Sequence, residues 1–394
     1  MHPPSPFIRS LCLRSIALAL RSCHGPRMAN RCPSVPFHIT GCPSFSTSSA
    51  RVSAYSDWAS ADARSAADGL LSKWTSSSGQ PATVYTHEIG RTQVQLLRIT
   101  LEEILPLSQE PARYLQQLLR EQPERGTPLL PAEHLVFFTP RVLSSNLGED
   151  GTDTSFNPSG GVFTRRMWAG GSMVWNLTDG NILRIGDEVT ETTYIEKVDI
   201  KQKRGDKENE MLVVWLRKEF ANKDGLALTD RRSWIFQRAL SCTNPPPTPL
   251  PVDVDAERRQ LLSPSLPPAA LASRLQLKQA ELFRYSALTF NGHAIHLDPD
   301  WCRKREGHAA VVVHGPLNLT LLLRKWMLET GNVEAVNGGV TSVDYRAKKP
   351  VYAGQTYWLQ MEAQSGKKGE DVMQAVRPDG SVIMEARVSG SHKQ

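Results

Sequence analysis

The residues best suited to chemistry lie in a short polar segment, residues 290–298, which reads FNGHAIHLD. It brings together an amide, Asn291, two imidazoles, His293 and His296, and a carboxylate, Asp298. Imidazole is a frequent general acid or base because its pKa lies near neutral pH. Taken singly, an Asn-Gly pair usually marks only a turn, and a lone loop histidine is usually surface decoration. Their joint occurrence in so short a segment favours a site for proton transfer.

A helix start follows this polar segment. The apolar residues 311–313 lead into His314, Gly315 and Pro316, after which a helix-like pattern continues to about Leu328. Proline is favoured in the first turn of a helix because the N–H that it lacks would have no partner there. Free backbone N–H groups and the positive end of the helix dipole at Gly315 therefore suit an oxyanion. Together the two segments predict acid–base chemistry on a carbonyl compound.

The residues of this region resemble a known family. RYSALTFNGHAIHLD, followed by VVHGPL, is similar to the active-site region of the fungal mitochondrial 3-hydroxyacyl-thioester dehydratases of type 2, and of the related mesaconyl-CoA hydratases and MaoC-like (R)-specific enoyl hydratases. The resemblance implies a hotdog fold, in which an antiparallel sheet wraps a long helix. The broader family carries an Asp and then a His five positions later, and the corresponding pair here is Asn291 and His296. This departure is compatible with His296 as the principal base and Asn291 as an orienting group.

The resemblance also implies roles for the neighbouring residues. His296 is expected to act as general base and acid, and the backbone N–H of Gly315 to hold the enolate oxygen. His293 is either a second acid–base group or a turn residue that points away. His314 is expected to support the helix start rather than to do chemistry. No cofactor and no metal ion is expected.

An arginine pair in the first half of the chain is a further candidate for substrate binding. Arg165 and Arg166 open the segment RRMWAGG, and paired arginines can hold a phosphate or a carboxylate. The alternative is that both lie on a solvated surface. The resemblance favours the binding role, because a similar segment recurs in the N-terminal half of these dehydratases.

The N-terminal residues differ in composition from the rest of the chain. Residues 1–56 contain six Arg and no Asp or Glu, which is typical of a mitochondrial transit peptide and indicates the matrix. A disordered tail or a cleaved secretory signal is the alternative. Without these six arginines the 46 Lys and Arg residues fall to 40, against 40 Asp and Glu. The remainder is formally neutral, so nucleic acid is not an expected partner, and no run is long and apolar enough to span a membrane.

A chain of 394 residues is long enough for two domains. The resemblance, with a repeated order of elements in the two halves, implies an α+β fold, a double hotdog with two antiparallel sheets that each wrap a long central helix. We expect a non-catalytic, tunnel-shaping hotdog over residues 57–241, a Pro-rich linker over 242–270 and a catalytic hotdog over 271–394. The two halves share an order of elements in which Gly186 and Gly354 correspond.

Three local expectations follow from this organisation. The helix from Gly315 is apolar nearly all round and should be buried as a central helix. Its counterpart in the first half is expected to begin near Gly170. The apolar run over residues 135–138 predicts a short buried strand.

The resemblance implies the reversible dehydration of (3R)-hydroxyacyl thioesters to trans-2-enoyl thioesters in mitochondrial type II fatty acid synthesis. The alternatives are a hotdog acyl-thioesterase or a non-catalytic acyl-binding subunit. The thioester is carried on acyl carrier protein or coenzyme A, and the chain is a monomer or a homodimer. An acidic carrier protein would favour basic residues near the tunnel mouth. The candidates are Arg303, Lys304, Arg305, Lys348 and Lys349.

Overall fold

The computed structural model describes most of the chain after residue 58. The described residues are 59–74, 80–177, 181–203, 206–240, 272–362 and 369–391. The predicted transit peptide and the predicted Pro-rich linker lie outside the described residues. Within the described ranges no helix is long and apolar enough to cross a membrane.

The first half contributes three helices and five strands among the described residues. They are α1 (Ala61–Trp74), β1 (Thr83–Glu88), α2 (Arg91–Ile104), α3 (Pro111–Arg120), β2 (Phe163–Trp175), β3 (Glu188–Lys203), β4 (Asp206–Asn222) and β5 (Gly225–Arg238). The second half follows with β6 (Ser273–Gln276), α4 (Gln279–Leu288), α5 (Gly315–Glu329), β7 (Val340–Ala347), β8 (Thr356–Met361), β9 (Glu370–Val376) and β10 (Val382–Gly390).

All ten strands form one antiparallel sheet in the order β1-β3-β4-β5-β2-β7-β10-β9-β8-β6. The order within the first half, β1-β3-β4-β5-β2, repeats in the second half as β6-β8-β9-β10-β7. The halves meet where β2 pairs with β7, with Met173 opposite Val343. This is the α+β double hotdog predicted from the sequence, with the two halves joined into one sheet.

The internal duplication is visible at two glycines. Gly186 lies two residues before β3 and Gly354 two residues before β8, which are equivalent strands in the two halves. Both residues have positive φ, 90° and 85°, a conformation that glycine adopts without steric cost. The correspondence predicted between these glycines is therefore confirmed.

Helix α5 is the buried central helix of the second half, as predicted. It packs against β8, β9 and β10, and most of its side chains are inaccessible to solvent. Its fully buried apolar side chains are Leu317, Leu319, Leu321, Leu322, Leu323, Trp326 and Met327. A helix that is apolar on every face gains stability only when it is surrounded.

The expectation of a helix beginning near Gly170 in the first half is wrong. Gly170 and Gly171 lie within strand β2, where Gly171 pairs with Arg232 on β5 and with Tyr345 on β7. A Cβ added at Gly171 would come within 1.9 Å of the Arg231 carbonyl oxygen. These glycines therefore allow neighbouring strands to approach closely and do not start a helix.

The sheet of the first half is covered instead by α1, which packs against β3 and β4. The predicted strand over residues 135–138 is also wrong, since a 3₁₀ turn occupies Glu133–Val136. This turn places the Glu133 carboxylate on the guanidinium of Arg98 in α2, with both hydrogen bonds at 2.8 Å. A buried ion pair so placed needs the turn rather than an extended backbone.

Candidate active site

The polar segment follows directly from the end of α4. Phe290 has a positive φ of 49°, which turns the chain, and the Asn291 N–H donates to the Ser286 carbonyl at 2.9 Å. The Asn291 side-chain oxygen then accepts a hydrogen bond from the His293 N–H at 3.1 Å. Asn291 thus fixes the turn, as Asn side chains often do, and a 3₁₀ turn over Ala294–His296 follows.

His296 is buried in a defined protonation state. Its Nδ1 lies 2.8 Å from the Val312 carbonyl oxygen. A carbonyl can only accept, so Nδ1 carries the hydrogen and Nε2 keeps a free lone pair. Burial, opposed in part by the bond to Val312, lowers the pKa of His296 to about 4. The ring is therefore neutral at physiological pH and is ready to act as a base.

His314 lies beneath His296 at the N-terminus of α5. The two imidazoles stack with centroids 3.7 Å apart, and His314 Nε2 lies 2.8 Å from the Ser286 hydroxyl oxygen. Burial, with the nearby His296 and His293, lowers the pKa of His314 well below its usual range. His314 thus forms part of the packing that fixes the His296 ring.

Gly315 begins α5 beside this stack. No side chain caps the helix start, so its first N–H groups remain free to bind an anion. A Cβ at Gly315 would lie 2.4 Å from the ring of Trp168, a residue of β2. Trp168 packs over the backbone of Gly315, and this contact explains why the position requires glycine.

His293 faces a carboxylate from the first half of the chain. Its Nε2 lies 3.5 Å from Asp150 Oδ2, and this nitrogen has no hydrogen-bond partner among the described residues. The other oxygen of Asp150 accepts from the Thr152 N–H and hydroxyl, at 3.0 and 2.7 Å. Burial, together with the neighbouring His296 and Arg166, lowers the pKa of His293 well below its usual range.

The loop that carries Asp150 also contacts the polar segment through its backbone. The Ala294 N–H donates to the Asp150 carbonyl at 2.8 Å. A Cβ added at Gly151 would lie 2.4 Å from the Gly292 oxygen, so two glycines allow the two loops to touch. The site is thus assembled from both halves, and sequence reasoning missed Asp150 because the contact depends on the tertiary fold.

The two arginines of the RRMWAGG segment have different surroundings. Arg166 lines the cavity described below and donates to the Asp153 carbonyl at 2.9 Å. Arg165 instead pairs with Glu306, with Nε 2.9 Å from the carboxylate, and does not line the cavity. We therefore leave Arg165 out of the proposed site.

Asp298 is also directed away from the site. Its carboxylate accepts hydrogen bonds from the N–H groups of Asp300 and Trp301, at 2.8 and 3.1 Å. It caps the short helical turn Pro299–Trp301, which is a structural role.

A cavity of about 700 Å³ joins these residues. It lies between the two halves and combines polar groups with aromatic walls, as small-molecule sites commonly do. Its lining includes Phe137, Phe138, Arg166, Trp168, Trp234, Asn291, His293, His296, His314 and Gly315. Among the described residues, no three His, Cys, Asp or Glu side chains are grouped so that they could hold a metal ion.

The arrangement suits removal of a proton beside a carbonyl group. A neutral imidazole, His296, provides the base, and the N-terminus of α5 provides donors for the negative charge that develops on the carbonyl oxygen. Both lie in a largely buried cavity, where electrostatic interactions are stronger than in water.

Comparison with known proteins agrees with this chemistry. The chain matches the family of hydroxyacyl-thioester dehydratases type 2 over residues 132–353. It is 26% identical over 272 residues to mesaconyl-C(4)-CoA hydratase of Chloroflexus aurantiacus, across 68% of this chain and 85% of that protein. It is 24% identical over 215 residues to the mitochondrial hydroxyacyl-thioester dehydratase type 2 of Schizosaccharomyces pombe, across 50% of this chain and 66% of that protein.

A solved structure with the same fold is a MaoC-like dehydratase from Phytophthora capsici. It superposes with a TM-score of 0.52 at 15% identity, across 82% of this chain and 99% of that one. The family resemblance predicted from the polar segment and the helix start is confirmed by the match over residues 132–353.

Proposed function

Because the chain belongs to the hydroxyacyl-thioester dehydratase type 2 family and is a hydratase/dehydratase, we propose that it dehydrates (3R)-hydroxyacyl thioesters to trans-2-enoyl thioesters in mitochondrial type II fatty acid synthesis. One observation carries the proposal. A neutral, buried His296 with a free Nε2 is stacked at the N-terminus of α5, in a cavity large enough for an acyl thioester.

The first step is removal of the weakly acidic proton on the carbon next to the thioester carbonyl. We assign it to Nε2 of His296, since Nδ1–H already donates to Val312 and holds the ring in this tautomer. The enolate oxygen that forms would accept a hydrogen bond from the Gly315 N–H. In other enzymes, removal of a single oxyanion donor costs roughly 2.7–4 kcal/mol.

The second step is departure of the hydroxyl group from the neighbouring carbon. The His296 imidazolium returns its proton to this hydroxyl, which leaves as water while the enolate electrons form the new double bond. Asn291 orients the hydroxyl through its amide and cannot itself take a proton. The products are one enoyl thioester and one water, and His296 ends in its starting state.

The carrier would enter at the exposed edge of the cavity. Lys348 and Lys349 line it, as do two large apolar side chains that remain exposed, Phe283 at 62% and Phe290 at 69%. Basic and apolar groups together suit the acidic surface of an acyl carrier protein, with coenzyme A as the alternative carrier. Lys348 pairs with Glu385, with Nζ 2.6 Å from the carboxylate. Of the other basic candidates, Arg303 and Lys304 pair with Asp300, and Arg305 pairs with Glu149.

The proposal includes the location and the organisation of the chain. The composition of residues 1–56 and the similarity to a mitochondrial relative support a matrix enzyme. The first hotdog, residues 57–241, would shape the cavity and supply Asp150 and Arg166, and the second, residues 271–394, would supply the acid–base residues. A monomer or a homodimer is expected, because one chain already contains the paired sheet.

A hydration assay with crotonyl-CoA tests the proposal. Loss of the enoyl absorbance should be accompanied by a 3-hydroxyacyl-CoA product, whereas a thioesterase would release free acid and thiol. His296→Ala should lose activity by 10²–10⁴-fold, the usual contribution of general acid–base catalysis. A folded His296→Ala variant with more than about a tenth of the wild-type rate would show that His296 is not the base. No hydration of any enoyl thioester would favour a non-catalytic binding subunit.

A further inference from the structure

A group of ionisable side chains lies on the inner face of the first-half sheet, away from the acid–base residues. We call it the ionic wall, and it consists of His134, Glu191, Lys218, Asp230 and Arg232. Lys218 Nζ lies 2.7 Å from Glu191 Oε1, Arg232 pairs with Asp230, and His134 Nε2 lies 3.3 Å from Asp230 Oδ2. All five side chains are largely buried.

Strand register places the wall on one face of the sheet. Lys218 on β4 lies directly opposite Asp230 on β5, and Arg232 follows two residues later, on the same face. Arg232 is in turn opposite Gly171 on β2, which is opposite Tyr345 on β7. Since Gly171 has no side chain, nothing from β2 separates Arg232 from Tyr345 in this row.

The ionic wall faces the cavity of the proposed active site. Four of its members, His134, Glu191, Lys218 and Arg232, line that cavity. The wall is interior, since the Arg232 side chain is 17% exposed while Phe290 at the cavity edge is 69% exposed.

Several buried polar atoms in this region have no hydrogen-bond partner among the residues that the structure describes. They are Arg232 Nε, Asp230 Oδ1, the Tyr345 hydroxyl and Trp168 Nε1. Buried polar atoms are nearly always hydrogen-bonded, so four in adjacent positions need an explanation. Replacing buried ion pairs by apolar residues is often neutral or stabilising, so stability alone does not account for the wall.

Trp168 connects the wall with the reacting centre. One part of its ring covers Gly315, the proposed oxyanion donor, and the ring also stacks on Tyr345 with centroids 4.6 Å apart. When the thioester oxygen is held at Gly315, the ionic wall therefore lies on the other side of Trp168. The far part of an acyl chain can extend to it there.

We propose that the ionic wall is a subsite for an oxygen-bearing group on the substrate's acyl chain, beyond the carbons that react. The group is a hydroxyl, a carbonyl or a carboxylate. This inference rests on the proposed function and adds a substrate class to it. A purely hydrocarbon chain at the wall would remove water from the ion pairs without replacing its hydrogen bonds.

The test compares 2-enoyl-CoA thioesters of matched length that end in a methyl group, a hydroxyl or a carboxylate, over a series of chain lengths. At one length the kcat/KM for an oxygenated thioester should exceed that of its methyl counterpart by about tenfold or more, because the site then gains hydrogen bonds that the methyl cannot make. The hydroxyl and carboxylate series decide whether the favoured group is neutral or charged.

Two variants tie the preference to the wall. Lys218→Met combined with Glu191→Gln removes one ion pair without leaving an unpaired charge, and Tyr345→Phe removes a hydroxyl that has no hydrogen-bond partner in the described part of the chain. Both should bring the kcat/KM ratio of oxygenated to methyl substrates close to one. Lys325→Met combined with Glu329→Gln is the matched control, since this buried Lys–Glu pair does not line the cavity, and should leave the ratio unchanged.

The outcomes separate this inference from the proposed function. If every enoyl thioester is hydrated but the methyl series is equal or better at all lengths, the subsite does not exist and the proposed function stands. A preference that survives in both wall variants also overturns the inference. If no enoyl thioester is hydrated, the proposed function fails first and the subsite, which depends on it, fails with it.

Discussion

The imidazole of His296 stacks on that of His314, with centroids 3.7 Å apart and the planes inclined by 21°. Both rings are buried, and two positive charges at this separation would repel each other strongly. Burial lowers the pKa of His296 to about 4 and that of His314 well below its usual range. Burial therefore keeps the proposed base unprotonated at the pH of the cell, and the stack fixes the position of its ring.

The first prediction concerns the pH dependence of catalysis. The kcat/KM for dehydration should be nearly constant from pH 8 to about pH 6 and should fall in acid, with an apparent pKa closer to 4 than to the usual value of 6.5. The physical reason is that only the neutral His296 can take the substrate proton. A profile that reaches half of its maximum near pH 6.5 would contradict a buried His296 as the base.

The second prediction concerns stability. The folded-state pKa of His296 is depressed, so between pH 6.5 and about 4 the unfolded chain binds more protons than the folded chain. The melting temperature should therefore fall as the pH is lowered through this window. His296→Gln, which has no titratable group, should show a smaller decrease than the wild type. Equal decreases in both proteins would show that titratable groups other than His296 cause the loss of stability in acid.

The third prediction concerns the start of α5. Gly315→Ala should lower kcat/KM by at least about tenfold, because the new Cβ would collide with Trp168 and displace the proposed oxyanion donor. Gly90→Ala is the matched control, since Gly90 caps α2 and has open space around its Cβ position. Retention of full activity by Gly315→Ala would remove the Gly315 N–H from the mechanism.

Much of the fold follows from the periodicity of apolar residues and from the residues that begin or end helices and strands. The residues of β1 alternate between the two faces of the strand, and those of helix α5 are apolar nearly all round. Both patterns are local, so both elements can be recognised from the sequence. Helix α2 was missed although Val94, Leu97 and Leu101 recur at helical spacing and are buried. Its start lacks a side-chain cap, and capping residues are the usual local signal for a helix start.

Contacts between distant segments were not predictable in this way. The glycine pair at Gly170 resembled a helix start, but its purpose is the close approach of neighbouring strands, which depends on sheet order. Asp150 lies in a polar loop with no pattern of its own. Its place beside His293 depends on how the two halves meet, and a single sequence does not contain this information.

The fourth prediction concerns the carrier. Lys349→Glu should lower kcat/KM for an acyl carrier protein thioester several-fold, because it reverses a charge at the cavity edge where the acidic carrier is proposed to dock. Turnover of an uncharged N-acetylcysteamine thioester should change little. Arg303→Glu is the control, since Arg303 pairs with Asp300 and does not line the cavity. Equal losses in both variants would argue against docking at this edge.

The fifth prediction assigns a positioning role to Asp150. Asp150→Asn keeps the size of the side chain but removes the negative charge 3.5 Å from His293 Nε2. The substitution leaves the backbone bond from Ala294 to the Asp150 carbonyl in place and changes only the side chain that faces His293, so we expect kcat to fall by about tenfold with a smaller change in KM. We also expect the acid limb of the pH profile to move further into acid, because loss of a nearby carboxylate disfavours the protonated imidazoles.

A matched control separates this role from a loss of loop structure. Asp379 accepts the N–H of Ser381 at 2.8 Å, as Asp150 accepts that of Thr152 at 3.0 Å. Asp379 lies in the turn between β9 and β10, whereas Asp150 faces His293. Asp379→Asn alters the equivalent turn hydrogen bond at an exposed position and should leave kcat and the pH profile unaltered. If Asp150→Asn lowers stability but shifts neither kcat nor the acid limb, its carboxylate only shapes the loop and does not position His293.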